Sequence, residues 1–266
     1  MIQKLRIEDQ QAILNFAYLR EPENLFVIGS FNLENPFDVN HYYGFFRKGV
    51  LVGLAAFFGE WGSFTVNASE EKVLRALVDR VVVEQHKIEF MPCFKRYTDL
   101  VLDQLEKVHG LHPKSIDQEI VYTLLPQDFK DFSTDEEEQP QEKDRRELVL
   151  LDQIVSDADF SEPTQSEINR ALPDYFWVLK KAGRIVAKAC IHGYSKNYFQ
   201  IGGVGTLPVW RGRGLSKQVV SALIKHCFAQ GMSTALLFAS RDNMPAQKVY
   251  VALGFKPVDD FVTASF

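Results

Sequence analysis

The chain has 266 residues, 46% hydrophobic and 24% charged, enough for one large globular domain or two ordinary ones. Lys and Arg number 30 against 35 Asp and Glu, a net charge of -5, which excludes the broad basic footprint of a nucleic-acid or membrane-surface binder. Cys93, Cys190 and Cys227 are odd in number and lack metal-ligand spacing, which points to reduced thiols, no metal and a cytoplasmic setting.

The first residues, "MIQKLRIEDQQAILNF", scatter charges through the apolar positions and do not form a signal peptide, and no apolar run is long enough to span a bilayer. From Tyr42 to Val66, "YYGFFRKGVLVGLAAFFGEWGSFTV" predicts three strands, with Lys48-Gly49 as a hairpin turn. "SEEKVLRALVDRVVVEQ" then has the apolar spacing of a helix, with Ser69 as its expected N-cap. The stretch Lys130 to Glu147, "KDFSTDEEEQPQEKDRRE", is highly charged and has little besides Phe132 to bury, so it reads as an exposed linker or hairpin excursion.

The second half repeats the first in outline. "YFWVLKKAGRIVAKACIHGYSKNYFQIGGV", Tyr175 to Val204, predicts three strands with a turn at Lys181-Ala182-Gly183, and "LSKQVVSALIKHCFAQG" predicts a helix stopped by Gly231. "STALLFAS" reads as a buried strand, "NMPAQKVYVAL" as a short helix starting at Asn243 and ending before Gly254, and "FKPVDDFVTASF" as a closing strand. The expected class is α+β, with layers of a mixed, mostly antiparallel sheet flanked by helices. The likeness of the halves fits a tandem pseudo-repeat; the alternative is two hairpins alike by chance. The predicted division is 1–129, a linker at 130–146, and 147–266.

"GGVGTLPVWRGRGLSKQVV", Gly202 to Val220, is the stretch that carries chemistry. Glycine at a helix start costs stability, so Gly212 and Gly214 call for a reason. The first amides of a helix lack internal partners and lie at the positive end of its dipole. Amides from Arg211 to Ser216 would face one concavity, glycine would let an anion approach, and Arg211 and Arg213 would add charge at its rim. Pyrophosphate is the natural guest. No Gly-Lys-Ser/Thr follows as in a Walker loop, and Lys217 breaks the dinucleotide G-x-G-x-x-G pattern. An Arg-Gly repeat for RNA fits poorly, since the knot occurs once in an acidic chain. Gly202, Gly203 and Gly205 weaken the preceding strand and suggest a bulge or a ligand there.

Arg211-x-x-Gly214-x-Ser216, the approach V-x-T-x-P-x-x-R-G-x-G from Val204, and Asn243, Ala246, Tyr250, Gly254 and Phe255 downstream together resemble the GNAT superfamily of N-acetyltransferases over about residues 147–266. Ser216 departs from the Gly or Ala usual in that loop. The resemblance implies a sheet split in a V with coenzyme A in the split. It places pyrophosphate on Arg211, Gly212, Arg213, Gly214, Leu215 and Ser216, and the pantetheine arm on Val204, Gly205 and Thr206. It places Tyr250 near the sulfur as the acid that protonates the departing thiolate; a phenol near pKa 10 and a thiol near about 8.5 are close enough for that. Asn243 serves as a helix cap, a coenzyme contact, or both. The general base stays open among His192, Glu167, Asp174 and water. The first half lacks such a loop and is expected to be a degenerate or capping copy. The expected activity is transfer of acetyl from acetyl-CoA to an unidentified primary amine, by a monomer or homodimer without nucleic acid or membrane. The alternative is a non-catalytic coenzyme A-binding regulatory module.

Overall fold

In the computed structural model, all residues are described except 157, 158 and 172–174. The chain forms two compact units: Met1–Val121 with Ser240–Asp242 and Val258–Phe266, and Tyr122–Ala239 with Asn243–Pro257.

The first unit opens with β1 (Ile2–Lys4), α1 (Gln10–Tyr18), α2 (Leu25–Ser30) and α3 (Pro36–Val39). The antiparallel strands β2 (Asn40–Arg47), β3 (Val50–Phe58) and β4 (Ser63–Ala68) follow, then α4 (Glu71–Val83), β5 (Phe90–Phe94), α5 (Lys95–His109) and β6 (Ser115–Leu124). Tyr42, Leu54, Ala56 and Phe58 of the sheet bury against Ile13 and Ala17 of α1 and Val27 and Ile28 of α2. The helix α4 buries Val73, Leu74, Leu77, Val78 and Val81, the one-face spacing read from the sequence. Its N-cap, however, is Glu70 rather than Ser69, and no side chain caps it. Glu70 instead gives its carboxylate to Arg47, whose Nη2 donates at 2.9 Å.

The second unit has β7 (Glu137–Glu138), α6 (Arg145–Val155), α7 (Gln165–Arg170), β8 (Phe176–Lys181), β9 (Arg184–Tyr194), β10 (Tyr198–Thr206), α8 (Leu215–Ala229), β11 (Thr234–Ser240), α9 (Met244–Leu253) and β12 (Lys256–Ser265). The charged stretch thus contributes β7, which pairs with β8, and a buried Asp144 that accepts from Lys180 Nζ at 2.8 Å. β12 continues into the first unit, where Phe261 to Ser265 pair antiparallel with Phe94 to Phe90 of β5.

The two units repeat each other closely at their first hairpins. Lys48-Gly49 (φ 49° and 79°) and Ala182-Gly183 (φ 49° and 77°) are two-residue turns with both φ positive, whose twist suits a hairpin. In each, the register shifts at the same place before the turn, between Phe45 and Phe46 and between Leu179 and Lys180. Each unit also holds one parallel pair, β4 with β5 and β10 with β11. Each sheet segment is mixed and mostly antiparallel with flanking helices, and the shared turns and parallel pairs make the chain a tandem pseudo-repeat.

Candidate functional site

The parallel pair of the second unit sets up the site. β10 pairs with β11 only from Tyr198 to Ile201, although β10 runs on to Thr206. Beyond Ile201 its β11-side edge is unpaired, a place where an extended ligand can add as a strand does. On its other side β10 bulges against β9: Gly202 opposes Cys190 while Gly205 opposes Lys188.

The sequence attributed the strand glycines to a bulge or a ligand, and the structure shows the bulge together with packing that needs them. A Cβ on Gly202 would overlap the His192 ring. One on Gly203, where φ is +56°, would lie 2.7 Å from Cys190 Sγ, and one on Gly205 would lie 2.8 Å from Val155 Cγ1.

The chain leaves β10 through a short 3-10 turn at Pro208–Trp210 and enters α8 at Gly214. Gly212 and Gly214 have φ of 77° and 78°, the left-handed region that a side chain disfavours. A Cβ at either would meet no protein atom within 4 Å, so backbone conformation, not crowding, demands glycine. Among the described residues, none of the backbone N–H groups from Gly212 to Lys217 has a protein acceptor; the first that does is Gln218, bonded to the Gly214 carbonyl at 3.2 Å. Leu215 is buried and roots the helix start, while Ser216 is partly buried.

Cations surround these amides. Arg211 Nε donates to the Thr206 carbonyl at 3.2 Å, which ties the loop to the strand end. Arg213 stacks on Trp210 at 4.6 Å, and the Lys217 ammonium lies 4.0 Å from the Phe132 ring centre. Thr206 Oγ1 and Gln218 Oε1 are buried without a hydrogen-bond partner. Orphan polar atoms beside unpartnered amides are what a polar ligand would satisfy. A coenzyme A pyrophosphate and pantetheine therefore fit the residues present.

Asn243 caps α9 through its side-chain oxygen, which accepts from Ala246 N at 3.1 Å. Gly254 ends that helix at φ 104°, and the Asp128 carbonyl packs where its Cβ would be, which explains the glycine of the downstream pattern. Tyr250 is buried near the Tyr122 and Phe255 rings, and burial pushes its phenol up to about 12. The phenol stays protonated at neutral pH, but stands further above a thiol than the unperturbed values suggest.

Of the candidate bases, Glu167 is taken up in a capping box, accepting from Thr164 N and Oγ1 at 2.7 Å each. Asp174 lies outside the described residues. His192 sits on β9 beside the bulge, where Gly202, ten residues further along the chain and without local signal, makes room for it. Among the described residues no group of three or more His, Cys, Asp or Glu is arranged to hold a metal, and no helix is long and apolar enough to cross a membrane.

Over 57 residues the chain is 42% identical to a mycothiol acetyltransferase from a Nocardioides species, covering 21% of this chain and 19% of that protein. Among solved structures it resembles a tandem GNAT protein from the clavulanic acid biosynthesis pathway (TM-score 0.66, 13% identity, 100% of this chain and 98% of that one). It also resembles a GCN5-related N-acetyltransferase from Sphaerobacter thermophilus (TM-score 0.64, 13% identity, 99% and 94%). At these identities the structural matches show the fold, and they extend the GNAT-like fold to the N-terminal half. Residues 129–255 match the acetyltransferase (GNAT) family, and that segment of the chain is a GNAT domain.

Proposed function

We propose that this chain is an acyl-CoA-dependent N-acyltransferase that transfers the acetyl group of acetyl-CoA to a primary amine. The observation that carries the reading is the row of amides from Gly212 to Lys217, without acceptors among the described residues, which includes two left-handed glycines and is flanked by cations. Such a nest binds the pyrophosphate, with Arg211 and Arg213 at its rim. Val204, Gly205 and Thr206 hold the pantetheine arm along the unpaired edge of β10, and Thr206 Oγ1 gains the partner it lacks. Bound acetyl-CoA supplies an activated acyl carbon. An amide of the 204–206 strand stabilises charge on the carbonyl oxygen. Tyr250 donates a hydrogen bond, and then its proton, to the departing sulfur. Asn243 holds the start of α9 and with it the helix that carries Tyr250.

In this reading 147–266 is the catalytic segment, 130–146 joins it to the rest, and 1–129 is a degenerate copy without a phosphate loop. The mycothiol acetyltransferase relative, of which the matched stretch covers 19%, supports acetyl as the group transferred. The test is thermal unfolding with acetyl-CoA, then assay of primary amines for acetylated product. Saturating ligand should stabilise the protein by mass action, about 2.7 kcal/mol at a hundredfold excess over Kd. Stabilisation without transfer to any amine would mark a regulatory coenzyme-binding module instead, and no stabilisation would end the reading.

A further inference from the structure

Three side chains alternate along one face of β9: Lys188, Cys190 and His192. Lys188 is 2% exposed and paired with Asp152 of α6, whose carboxylate is largely exposed. Cys190 donates to the Gly202 carbonyl at 3.6 Å, and burial pushes its thiol up to about 11, so it is inert. His192 differs from both. As a residue it is exposed, with one side of its ring against Gly202, and among the described residues no protein group hydrogen-bonds either ring nitrogen.

The β10 bulge is shaped around that ring. Gly202 lies flat against the imidazole with no room for a Cβ, and a Cβ at Gly203 would be 3.5 Å from Nε2. The strand continues directly into Val204–Thr206, the unpaired edge assigned to the thioester end of the coenzyme. An accessible imidazole with two unengaged nitrogens thus stands beside the segment where acyl transfer is placed.

We propose that His192 is the catalytic residue that takes the proton the acceptor amine must lose. This rests on the acetyltransferase reading above. The amine nitrogen bonds to the acyl carbon as the carbon–sulfur bond breaks, with the electron pair leaving on sulfur. The surplus proton on nitrogen passes to His192, and sulfur takes a proton from Tyr250. His192 then releases its proton to water, and Tyr250 recovers one from water. In net terms an amine N–H is exchanged for an N-acyl bond and a thiol S–H.

The groups facing His192 are Lys188 and Cys190 on its own strand and Asp152 on α6; the β10 residues against it are glycines. Desolvation by the protein packed against the ring, and then Lys188, lower the imidazole from its ordinary value of 6.5, with Asp152 opposing. It is therefore neutral and able to accept a proton at pH 7. A rate that needs the neutral form rises with pH through an acidic limb lying below 6.5.

The experiment compares wild type with His192→Gln, His192→Ala and Gly202→Ala. It measures acetyl-CoA affinity by calorimetry, and transfer to ethylamine, phenethylamine, spermidine and glycine by product mass and thiol release. His192→Gln should lower kcat/KM by roughly 10²- to 10⁴-fold, erase the acidic limb, and leave acetyl-CoA Kd within about threefold. Free imidazole should recover at least about tenfold of the rate in His192→Ala, whose vacated space admits it, and none in His192→Gln. Gly202→Ala, which displaces the ring, should slow transfer without weakening acetyl-CoA. A transferring wild type whose His192→Gln variant keeps rate and pH profile overturns the proposal alone. So does a variant that loses acetyl-CoA affinity in step with rate and is not rescued by imidazole. If His192→Gln does not fold, Gly202→Ala and the imidazole rescue decide. A wild type that does not bind acetyl-CoA, or binds it and acetylates none of these amines, overturns the underlying reading as well.

Discussion

The helices α4 and α8 occupy the same place in the two repeats, following β4 and β10, yet they begin in opposite ways. The start of α8 has two left-handed glycines, Arg211, Arg213 and Lys217, and a run of amides without acceptors. The start of α4 has Glu70 and Glu71, no glycine, and a tighter first turn in which Val73 N and Leu74 N both bond the Glu70 carbonyl at 3.0 Å. Acidic side chains suit a helix N-terminus by themselves, since they answer the dipole, but they repel a phosphate. One end is therefore finished internally and the other left with open amides. The hairpin turns and parallel pairs recur in both copies, whereas the left-handed glycines and open amides stand at one helix start.

Breaking that contrast at its open end should give the largest effect. Gly214→Val forces a β-branched residue to φ 78° and puts a Cβ where the anion approaches. No protein atom lies within 4 Å of that Cβ, so the fold should survive while acetyl-CoA affinity falls by more than about a hundredfold, or beyond detection. Calorimetry on wild type should give one coenzyme per chain. Two equivalent sites, or a folded Gly214→Val with undiminished affinity, would remove the distinction between the helix starts.

The parallel strands sharpen the comparison. β4 pairs with β5 at Ser63 and Phe90 and then runs on to Ala68, as β10 runs on past β11. In the first unit, however, the Glu23 carboxylate, 9% exposed, bridges the strand ends: it accepts from Asn67 Nδ2 of β4 and from Tyr97 OH of α5 at 2.8 Å each, and from Arg96. Glu23→Ala leaves these donors without their acceptor and should destabilise the protein by roughly 2–4 kcal/mol in denaturant unfolding. Acetyl-CoA affinity should not change. A neutral Glu23→Ala would show that the internal carboxylate does not close this unit.

Much of this was legible in the sequence because the signals are local. Lys48-Gly49 and Ala182-Gly183 announce hairpins through adjacent residues, and Gly212 and Gly214 announce an unusual helix start through their own φ. What stayed hidden depends on residues distant in the chain. Gly202, Gly203 and Gly205 answer to His192, Cys190 and Val155, and no neighbouring residue signals those contacts. Ser69 had the composition of an N-cap, but Glu70 is placed there, with its side chain drawn to Arg47 from the hairpin. Glu137 and Asp144 looked unfit for burial until partners such as Thr134 and Lys180 were in place.

Tyr250→Phe probes the open end at the chemistry rather than the phosphate. Burial holds the phenol near 12 in the absence of ligand, so full proton transfer to sulfur is less favourable than the unperturbed values imply. Thiolate also leaves tolerably unaided. The variant should bind acetyl-CoA normally and lose roughly ten- to a thousandfold in kcat. Phenylalanine keeps the ring volume, so melting should change little. Unchanged kcat where chemistry limits turnover would leave Tyr250 as a core aromatic.

The smallest effect is expected at the closed end. Arg47 and Glu70 are about half exposed and form a bidentate pair, with the Arg47 hydrogen bond holding the Glu70 carboxyl below its usual range. A depressed folded pKa contributes stability that is present above the unfolded value of about 4.5 and lost as pH falls through the folded one. Water and salt screen an exposed pair, so Glu70→Ala should shift the unfolding midpoint only slightly at pH 7, and the difference from wild type should shrink as pH falls below 4.5. Removing this acid makes the start of α4 less negative, yet its first turn still has no left-handed glycine and no long row of open amides. Glu70→Ala should therefore leave the calorimetric stoichiometry at one acetyl-CoA per chain. A second site appearing in this variant would mean that charge alone, rather than backbone geometry, separates the two helix starts.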